Sequence, residues 1–423
     1  PFTAQHQSKN HLHTMTAPAV LSPLAPSEDG VRSLIRRHPI PDALEDIGPS
    51  PSGKAKMTYG YGTAGFRYPH AVLPPAVVRV GMFAAIRSAS LGGEEVGIMI
   101  TASHNPEADN GVKLADPDGG MLAADWEPRA VELVNTDAED DAVAFIRKTC
   151  RDFGWINPFG GGSAPQGTAM CAVVHVGRDT RFHSPLLADL AIAGVRSLGA
   201  IAIDHGVVTT PQLHHFVMHS NAHRLPNVSP QRLDEGGYLE TICGSYAALM
   251  RTASIGSDGD SLRTRRTLLV DCACGVGGLK VPLIQSTLKR LRLTGGVELD
   301  AVNLPGNGPL NEGCGAEFVQ KNRLRPKIYG DHHSGAAKGG ITYGASLDGD
   351  ADRVVFHYDK QCSKSGMSFR LLDGDKIAAL VTGFIQEELR YLQSAGIGIG
   401  IRCGIVQTAY ANGASTSYLR DVV

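Results

Sequence analysis

Ser103, His104 and Lys113 fall within one short stretch of the chain, and residues of these types can together carry out phosphoryl transfer. The apolar run at 96–100 predicts a short strand that ends just before the serine. The dipeptide Asn105-Pro106 then predicts a helix N-terminus, whose free N–H groups would favour an anion such as phosphate. We therefore predict Ser103 as a nucleophile in a phosphate-binding loop.

A serine in an ordinary strand-to-helix turn is the commoner outcome, and a second site decides between the two interpretations. Asp348, Asp350 and Asp352 alternate with small residues in a loop between two apolar runs. Three carboxylates so close together repel one another unless a cation lies between them. Oxygen ligands of this kind favour Mg²⁺, Ca²⁺ or Mn²⁺ over zinc, and the alternative is a solvated acidic turn.

The acidic loop does not follow the EF-hand pattern. Arg353 stands where the sharp turn of an EF-hand needs glycine, and Asp359 stands in place of the bidentate glutamate. Arg353 is instead a candidate ligand for phosphate, as is Arg67 at the end of a glycine-rich segment. Arg178 and Arg181 could serve the active cleft or only pair with Asp179, and we favour the structural role.

The composition is that of a globular protein and excludes several classes of function. The chain has 423 residues, is 42% hydrophobic and carries a formal net charge of −2, so neither nucleic acid nor an anionic membrane is expected as a partner. None of its apolar runs has the length of a membrane span. The eight cysteines include no CxxC pair, which favours buried thiols in a reducing, cytoplasmic compartment.

Alternating strand and helix patterns predict an α/β protein with mixed sheets flanked by helices, in several domains. We predict a mobile leader over 1–56, a first domain over 57–208 with the serine loop, a second over 209–340, and a third over 341–423 with the acidic loop. The run Gly275-Val-Gly-Gly278 misses the dinucleotide-binding spacing, so we interpret it as a tight strand-to-helix turn. Asp373 and Asp375 are predicted to cap the helix that follows them.

Five segments, in this order, resemble the α-D-phosphohexomutases. They are Tyr61-Gly-Thr-Ala-Gly-Phe-Arg67, Thr101-Ala-Ser-His-Asn-Pro106, Asp109-Asn-Gly-Val-Lys113, Asp348-Gly-Asp-Ala-Asp-Arg353 and Gln407-Thr-Ala-Tyr-Ala-Asn-Gly413. The resemblance implies four α/β domains around a cleft. Because the sequence stops at Val423, we expect the later part of the third domain and the whole fourth domain to be absent.

The resemblance also implies a reaction and a cofactor. Ser103 would be a phosphoserine, and Mg²⁺ would be held by its phosphate together with Asp348, Asp350 and Asp352. The implied reaction interconverts N-acetylglucosamine 6-phosphate and 1-phosphate through a sugar bisphosphate, on the route to UDP-N-acetylglucosamine. The implied partner is thus a sugar phosphate.

The residue chemistry is compatible with this reaction and assigns further roles. The general acid/base could be Lys113 or His104; we favour Lys113, with His104 steadying the phosphate. Arg67 and Arg353 are expected to add positive charge. One alternative is the same chemistry on an unacetylated sugar, as in phosphoglucomutase or phosphomannomutase. Another is an inactive fragment that binds a metal and a sugar phosphate. A serine hydrolase is disfavoured because no Gly-x-Ser-x-Gly sequence surrounds Ser103.

Overall fold

The computed structural model of the chain describes residues 17–42, 56–62, 65–154, 158–159, 172–222, 232–254, 266–292, 296–329, 343–362, 366–398, 400–401, 403–407 and 411–422. These residues form two β-sheets with helices packed against them, which agrees with the predicted α/β class. Within the described part of the chain, no helix combines the length and apolar character that crossing a membrane requires.

The first sheet has six strands in the order β1-β6-β5-β3-β4-β2. Strands β3, β5 and β6 run parallel, and β4 returns antiparallel to β3. Every residue of β3 is buried because the strand lies in the middle of the sheet. The strands are β1 (Ala19–Leu21), β2 (Phe66–Pro69), β3 (Val96–Ile100), β4 (Asp109–Ala115), β5 (Val173–Arg178) and β6 (Ile201–Val207).

Helices cover this sheet and supply most of its core. Helix α2 is buried along nearly its whole length, where it crosses α5 at Gly81 and Gly194. The helices of this unit are α1 (Glu28–Arg37), α2 (Pro74–Ser90), α3 (Glu127–Val134), α4 (Glu139–Asp152), α5 (Ser184–Ser197) and α6 (Thr210–Ser220), with a 3₁₀ turn at His70–Val72. The large core cluster draws on α1 to α5 and the strands beneath them.

The prediction of a mobile leader over 1–56 is wrong for residues 17–42. Strand β1 pairs antiparallel with β6 and so extends the first sheet. Helix α1 begins at a Ser27 cap and buries Val31 and Ile35 in the main core. An apolar pair one helical turn apart thus gives the segment a packing face that the proline-rich composition obscured. Residues 1–16 and 43–55 lie outside the described part of the chain.

The second sheet has five strands in the order β11-β10-β9-β7-β8, and it corrects the predicted boundary at 340/341. Its strands are β7 (Arg266–Asp271), β8 (Val297–Val302), β9 (Tyr343–Leu347), β10 (Val354–Cys362) and β11 (Gly366–Leu372). Strand β9 pairs parallel with β7, so strands from both sides of the predicted boundary form one sheet. Parallel pairing between strands far apart in the chain leaves no local sequence signal, which is why the boundary was misplaced.

The helices of this second unit begin at recognisable signals. They are α7 (Glu235–Ser254), α8 (Gly277–Arg290), α9 (Gly315–Asn322), α10 (Gly374–Ser394) and α11 (Gly413–Val422). The turn at 275–278 leads directly into α8, as predicted. Asp373 caps α10 by accepting a hydrogen bond from the backbone of Lys376, which is also as predicted. Asp375 instead accepts one from the backbone of Asn412, so its predicted capping role is wrong.

Candidate active site

The serine loop connects β3 to β4 and is buried at 101–103. Ser103 is 2% exposed and adopts a left-handed backbone conformation, with a φ of 51°. Its backbone N–H donates to Thr101 Oγ1 over 2.9 Å. The predicted helix at Asn105-Pro106 is wrong: the chain turns at 106–109 and enters β4 directly. The Asn105 side chain bonds to Asp109 instead of capping a helix.

The acidic loop connects β9 to β10, and its three carboxylates converge. One oxygen from each of Asp348, Asp350 and Asp352 lies within 4.8 Å of the others. Asp348 and Asp350 are fully buried, whereas Asp352 is partly exposed. The backbone N–H of Val276, in the turn before α8, donates to the carbonyl oxygen of Gly349. This turn therefore supports the acidic loop.

The serine loop and the acidic loop meet although they lie far apart in the sequence and belong to different sheets. Ser103 Oγ donates a hydrogen bond to Asp348 Oδ2 over 2.7 Å. A Cβ atom on Gly349 would stand only 2.6 Å from the carbonyl oxygen of Ser103. The acidic loop thus needs a glycine at this position to approach the serine so closely.

Lys113 reaches the acidic trio from β4 and balances part of its charge. Its Nζ atom lies 3.3 Å from Asp350 Oδ2 and 3.1 Å from Asp352 Oδ2. Thr210, the first residue of α6, donates its hydroxyl to Asp350 Oδ2 over 2.7 Å. Asp350 Oδ1 is buried and has no hydrogen-bond partner among the described residues. Such an oxygen is costly to bury unless a cation binds it.

Asp348 and Asp350, the two buried carboxylates, differ in their affinity for protons. Burial and the negative charges of Asp350 and Asp352 raise the pKa of Asp348 to about 7. Burial also acts to raise the pKa of Asp350, but the Lys113 charge and the Thr210 hydrogen bond outweigh it and lower that pKa overall. Of these two buried carboxylates, Asp348 therefore holds a proton more tightly than Asp350.

Two arginines predicted to bind phosphate lie at this site. Arg353 Nε donates to Asp348 Oδ2 over 3.0 Å, and its Nη1 donates to Glu317 over 2.9 Å. Burial opposes the charge on Arg353, but these carboxylates raise its pKa overall. Arg67, on β2, is half-buried, and burial lowers its pKa. Arg67 Nε is buried without a hydrogen-bond partner in the described part of the chain.

His104 lies beside the serine in a form suited to hydrogen bonding. Its Nδ1 atom is 3.5 Å from Ser103 Oγ. Burial, followed by the positive charge of Arg353, lowers the pKa of His104 below its usual value. The imidazole is therefore neutral near pH 7, when it can both donate and accept hydrogen bonds.

Several residues at the site were not predicted to act there. Arg181 forms the expected ion pair with Asp179, and it also donates to the backbone of the serine loop. Arg178 pairs with Asp204, whereas Asp179 was the predicted partner. Thr210 had one readable signal, because Thr209 and Gln212 form a capping box that begins α6. Asn311, which contacts the serine loop from the second unit, had no local signal at all.

Two family models match the chain. The model described as phosphoglucomutase/phosphomannomutase, alpha/beta/alpha domain I, matches residues 82–141 and 164–225. The model described as phosphoacetylglucosamine mutase AMG1, domain III, matches residues 373–423. The second match begins after β11, which is consistent with β9 to β11 forming one sheet with β7 and β8.

Individual relatives agree with these models. A curated phosphoacetylglucosamine mutase of Arabidopsis thaliana is 41% identical over 378 residues, which are 89% of this chain and 62% of the relative. One of Oryza sativa is 39% identical, over 86% of this chain and 60% of the relative. The chain thus spans about three fifths of the length of these curated relatives.

Solved structures show the same fold. An N-acetylglucosamine-phosphate mutase in the apo form superposes with a TM-score of 0.71 at 32% identity, over 93% of this chain and 74% of that chain. The Aspergillus fumigatus enzyme in complex with GlcNAc-6P and magnesium gives a TM-score of 0.71 at 34% identity, over 93% of this chain and 64% of that chain. The fold and the site are those of the α-D-phosphohexomutase superfamily. Within it, the chain belongs to the phosphoacetylglucosamine mutase family.

Proposed function

We propose that this chain carries the phosphoryl-transfer centre of a phosphoacetylglucosamine mutase, which interconverts N-acetylglucosamine 6-phosphate and 1-phosphate on the route to UDP-N-acetylglucosamine. The observation that carries the proposal is the 2.7 Å contact between Ser103 Oγ and Asp348, inside a converging group of three carboxylates. The related A. fumigatus enzyme forms a complex with GlcNAc-6P and magnesium, which supports this substrate for the present chain.

The residues of the acidic loop fit a magnesium ion. They offer carboxylate oxygens only, and Asp350 Oδ1 is buried without a partner among the described residues. Asp348, Asp350 and Asp352 would hold the ion together with a phosphate on Ser103. When bound, Mg²⁺ neutralises the charge that phosphoryl transfer spreads over the phosphate oxygens.

The chain's own residues provide the remaining steps. The phosphoryl group leaves Ser103 Oγ for a free hydroxyl of the sugar monophosphate, and a sugar bisphosphate forms. The other phosphate of the bisphosphate then returns to Ser103, which regenerates the phosphoserine. Lys113, an ammonium in its ion pairs with Asp350 and Asp352, gives a proton to the oxygen that the phosphoryl group leaves and takes the proton of the attacking hydroxyl, so each transfer restores its charge. His104 donates a hydrogen bond to the phosphate, and Arg67 and Arg353 bind its oxygens.

Labelling with a hexose 1,6-bisphosphate tests this function. The wild-type chain with Mg²⁺ is expected to gain one phosphate, measured by intact mass and located at Ser103 by peptide mass spectrometry. Ser103→Ala should gain none. Ser417→Ala is the matched control, because Ser417 lies exposed on α11 and should leave labelling unchanged. Labelling of the Ser103→Ala chain at the wild-type level would contradict the nucleophile assignment.

We further propose a cytoplasmic location. The structure describes Cys150, Cys243, Cys272, Cys274, Cys314 and Cys403 as free thiols, which suits a reducing compartment. Fractionation of cells that express the tagged chain is expected to place it with cytoplasmic markers. Recovery with secretory or membrane markers would contradict the proposal.

A further inference from the structure

Two backbone carbonyl oxygens of the serine loop are each bound by the same two side chains. Asn311 Nδ2 donates to the carbonyl oxygen of Ser103 over 2.8 Å and to that of Asn105 over 3.1 Å. Arg181 Nη2 donates to the same oxygens over 3.3 Å and 2.8 Å. A carbonyl can only accept a hydrogen bond, so these contacts fix the orientation of the Asn311 amide.

The two donors come from different sheets. Arg181 follows β5 of the first sheet, and its guanidinium is anchored by the buried carboxylate of Asp179. Asn311 lies between β8 and α9 of the second unit, where its backbone N–H donates to the carbonyl oxygen of Ala273. Side chains that belong to the two different sheets and their connections therefore hold the serine loop in place.

The serine loop needs such support because its conformation is unfavourable on its own. Ser103 has a φ of 51°, in the left-handed region that residues with a Cβ atom rarely occupy. Its carbonyl oxygen also faces Gly349 of the acidic loop at close range. A small rotation of this peptide would move Ser103 Oγ away from Asp348, and misplacement of a reacting atom by about 1 Å can slow a reaction by roughly a hundredfold.

We propose that Asn311 is a positioning residue: by binding the carbonyl oxygens of Ser103 and Asn105, it holds the serine in the conformation that phosphoryl transfer requires. Asn311 does not contact the reacting hydroxyl oxygen in the structure, so it acts through the loop. Its effect on transfer rests on the function proposed above, whereas its effect on the conformation of the loop does not.

Asn311→Gly is the most informative variant. Asn311 itself has a φ of 61°, which glycine adopts without strain, so the substitution removes the amide while it preserves the local backbone. Asn311→Asp is a second variant that keeps the shape but replaces the donor with an acceptor. Asn322→Gly is the matched control, because the exposed Asn322 amide also binds a backbone carbonyl oxygen, that of Phe318 within α9.

Hydrogen exchange of the folded chain gives the first readout. Peptides that cover 101–108 are expected to exchange at least tenfold faster in Asn311→Gly and Asn311→Asp than in the wild type, whereas peptides that cover β3 should not change. Asn322→Gly should leave 101–108 at the wild-type rate. Equal exchange of 101–108 in all the chains would overturn the proposal, whatever the labelling shows.

The rate of Ser103 phosphorylation by a hexose 1,6-bisphosphate gives the second readout. We expect both Asn311 variants to be labelled at least tenfold more slowly at saturating bisphosphate, with Asn322→Gly unchanged. If loop exchange rises while labelling stays at the wild-type rate, the positioning role is overturned. If the wild type is not labelled at all, the proposed function fails, and the exchange result alone decides whether Asn311 holds the loop.

Discussion

The ammonium nitrogen of Lys113 lies 3.3 Å from a carboxylate oxygen of Asp350, and the two side chains are only 3% and 0% exposed. The pair joins β4 of the first sheet to the acidic loop of the second. Two charges removed from water in this way are stable only together, since either one alone would be buried without compensation. The same contact that supplies a candidate acid/base therefore also holds the two sheet units together.

Replacing Lys113 with methionine is expected to destabilise the fold by about 3–5 kcal/mol, because it leaves the Asp350 carboxylate buried beside two others. Urea unfolding at pH 7 measures the loss. Lys56→Met is the control: Lys56 and its partner Asp42 are both half exposed, so its removal should cost about 1 kcal/mol or less. Similar losses in the two variants would contradict the structural role of the buried pair.

The residues of the site that lie in local motifs could be predicted from the sequence. Lys113 lies within β4, and Ser103 and the acidic trio directly follow strands whose apolar patterns are readable over a few residues. The family resemblance implied that the serine and acidic loops meet. Local patterns alone could not predict it, because the contact joins residues far apart in the chain and in different sheets. Asn311 and Thr210 were missed because their contacts with the site are tertiary, although Thr210 follows a readable capping signal at Thr209.

Misinterpreted local signals had identifiable physical causes. The Asn105-Pro106 pair is typical of a helix start, but the need for β4 to return beside β3 leaves room only for a turn. The polar, proline-containing N-terminal segment suggested disorder. However, Arg36 of α1 forms a 2.6 Å ion pair with Glu139 of α4, and the apolar side of α1 is buried. In both cases tertiary packing outweighed a weak local preference.

Asp350→Asn is expected to weaken Mg²⁺ binding at least tenfold, because it removes a charged oxygen ligand. It also removes a negative charge that compensates Lys113, so the lysine repels the cation more strongly. Isothermal titration of the metal into the chain, without sugar, measures the change. Asp118→Asn is the control, since Asp118 lies in an exposed turn where it accepts a hydrogen bond from Gly120. Unchanged affinity in the Asp350 variant would remove the acidic loop as the metal site.

Acidification is expected to destabilise the protein through His205. Burial and the nearby His175 lower the pKa of His205 to about 3 in the folded state, from about 6.5 in an unfolded chain. The unfolded state therefore binds the extra proton first, so stability is lost as the pH falls from about 6.5 towards 3, by up to about 1.4 kcal/mol per pH unit. Urea midpoints at pH 7, 6 and 5 measure this slope. His205→Asn should lower it, and equal slopes would contradict the assignment.

Replacing glycine with alanine is expected to change the stability of the fold in opposite directions at two helical positions. The first position, Gly194, lies where α2 and α5 cross. A Cβ atom on Gly194 would stand 2.2 Å from the carbonyl oxygen of Val78, so alanine there forces the helices apart. We expect Gly194→Ala to cost about 1–3 kcal/mol of stability.

The matched substitution lies at Gly244, in the middle of α7, where an added Cβ atom would meet no other atom within 4 Å. There alanine should stabilise the fold by about 0.5–1 kcal/mol, because glycine is the weaker helix former. Both variants can be compared with the wild type by urea unfolding. If Gly194→Ala stabilises the fold as Gly244→Ala should, the helices do not cross at the close distance that Gly81 and Gly194 permit.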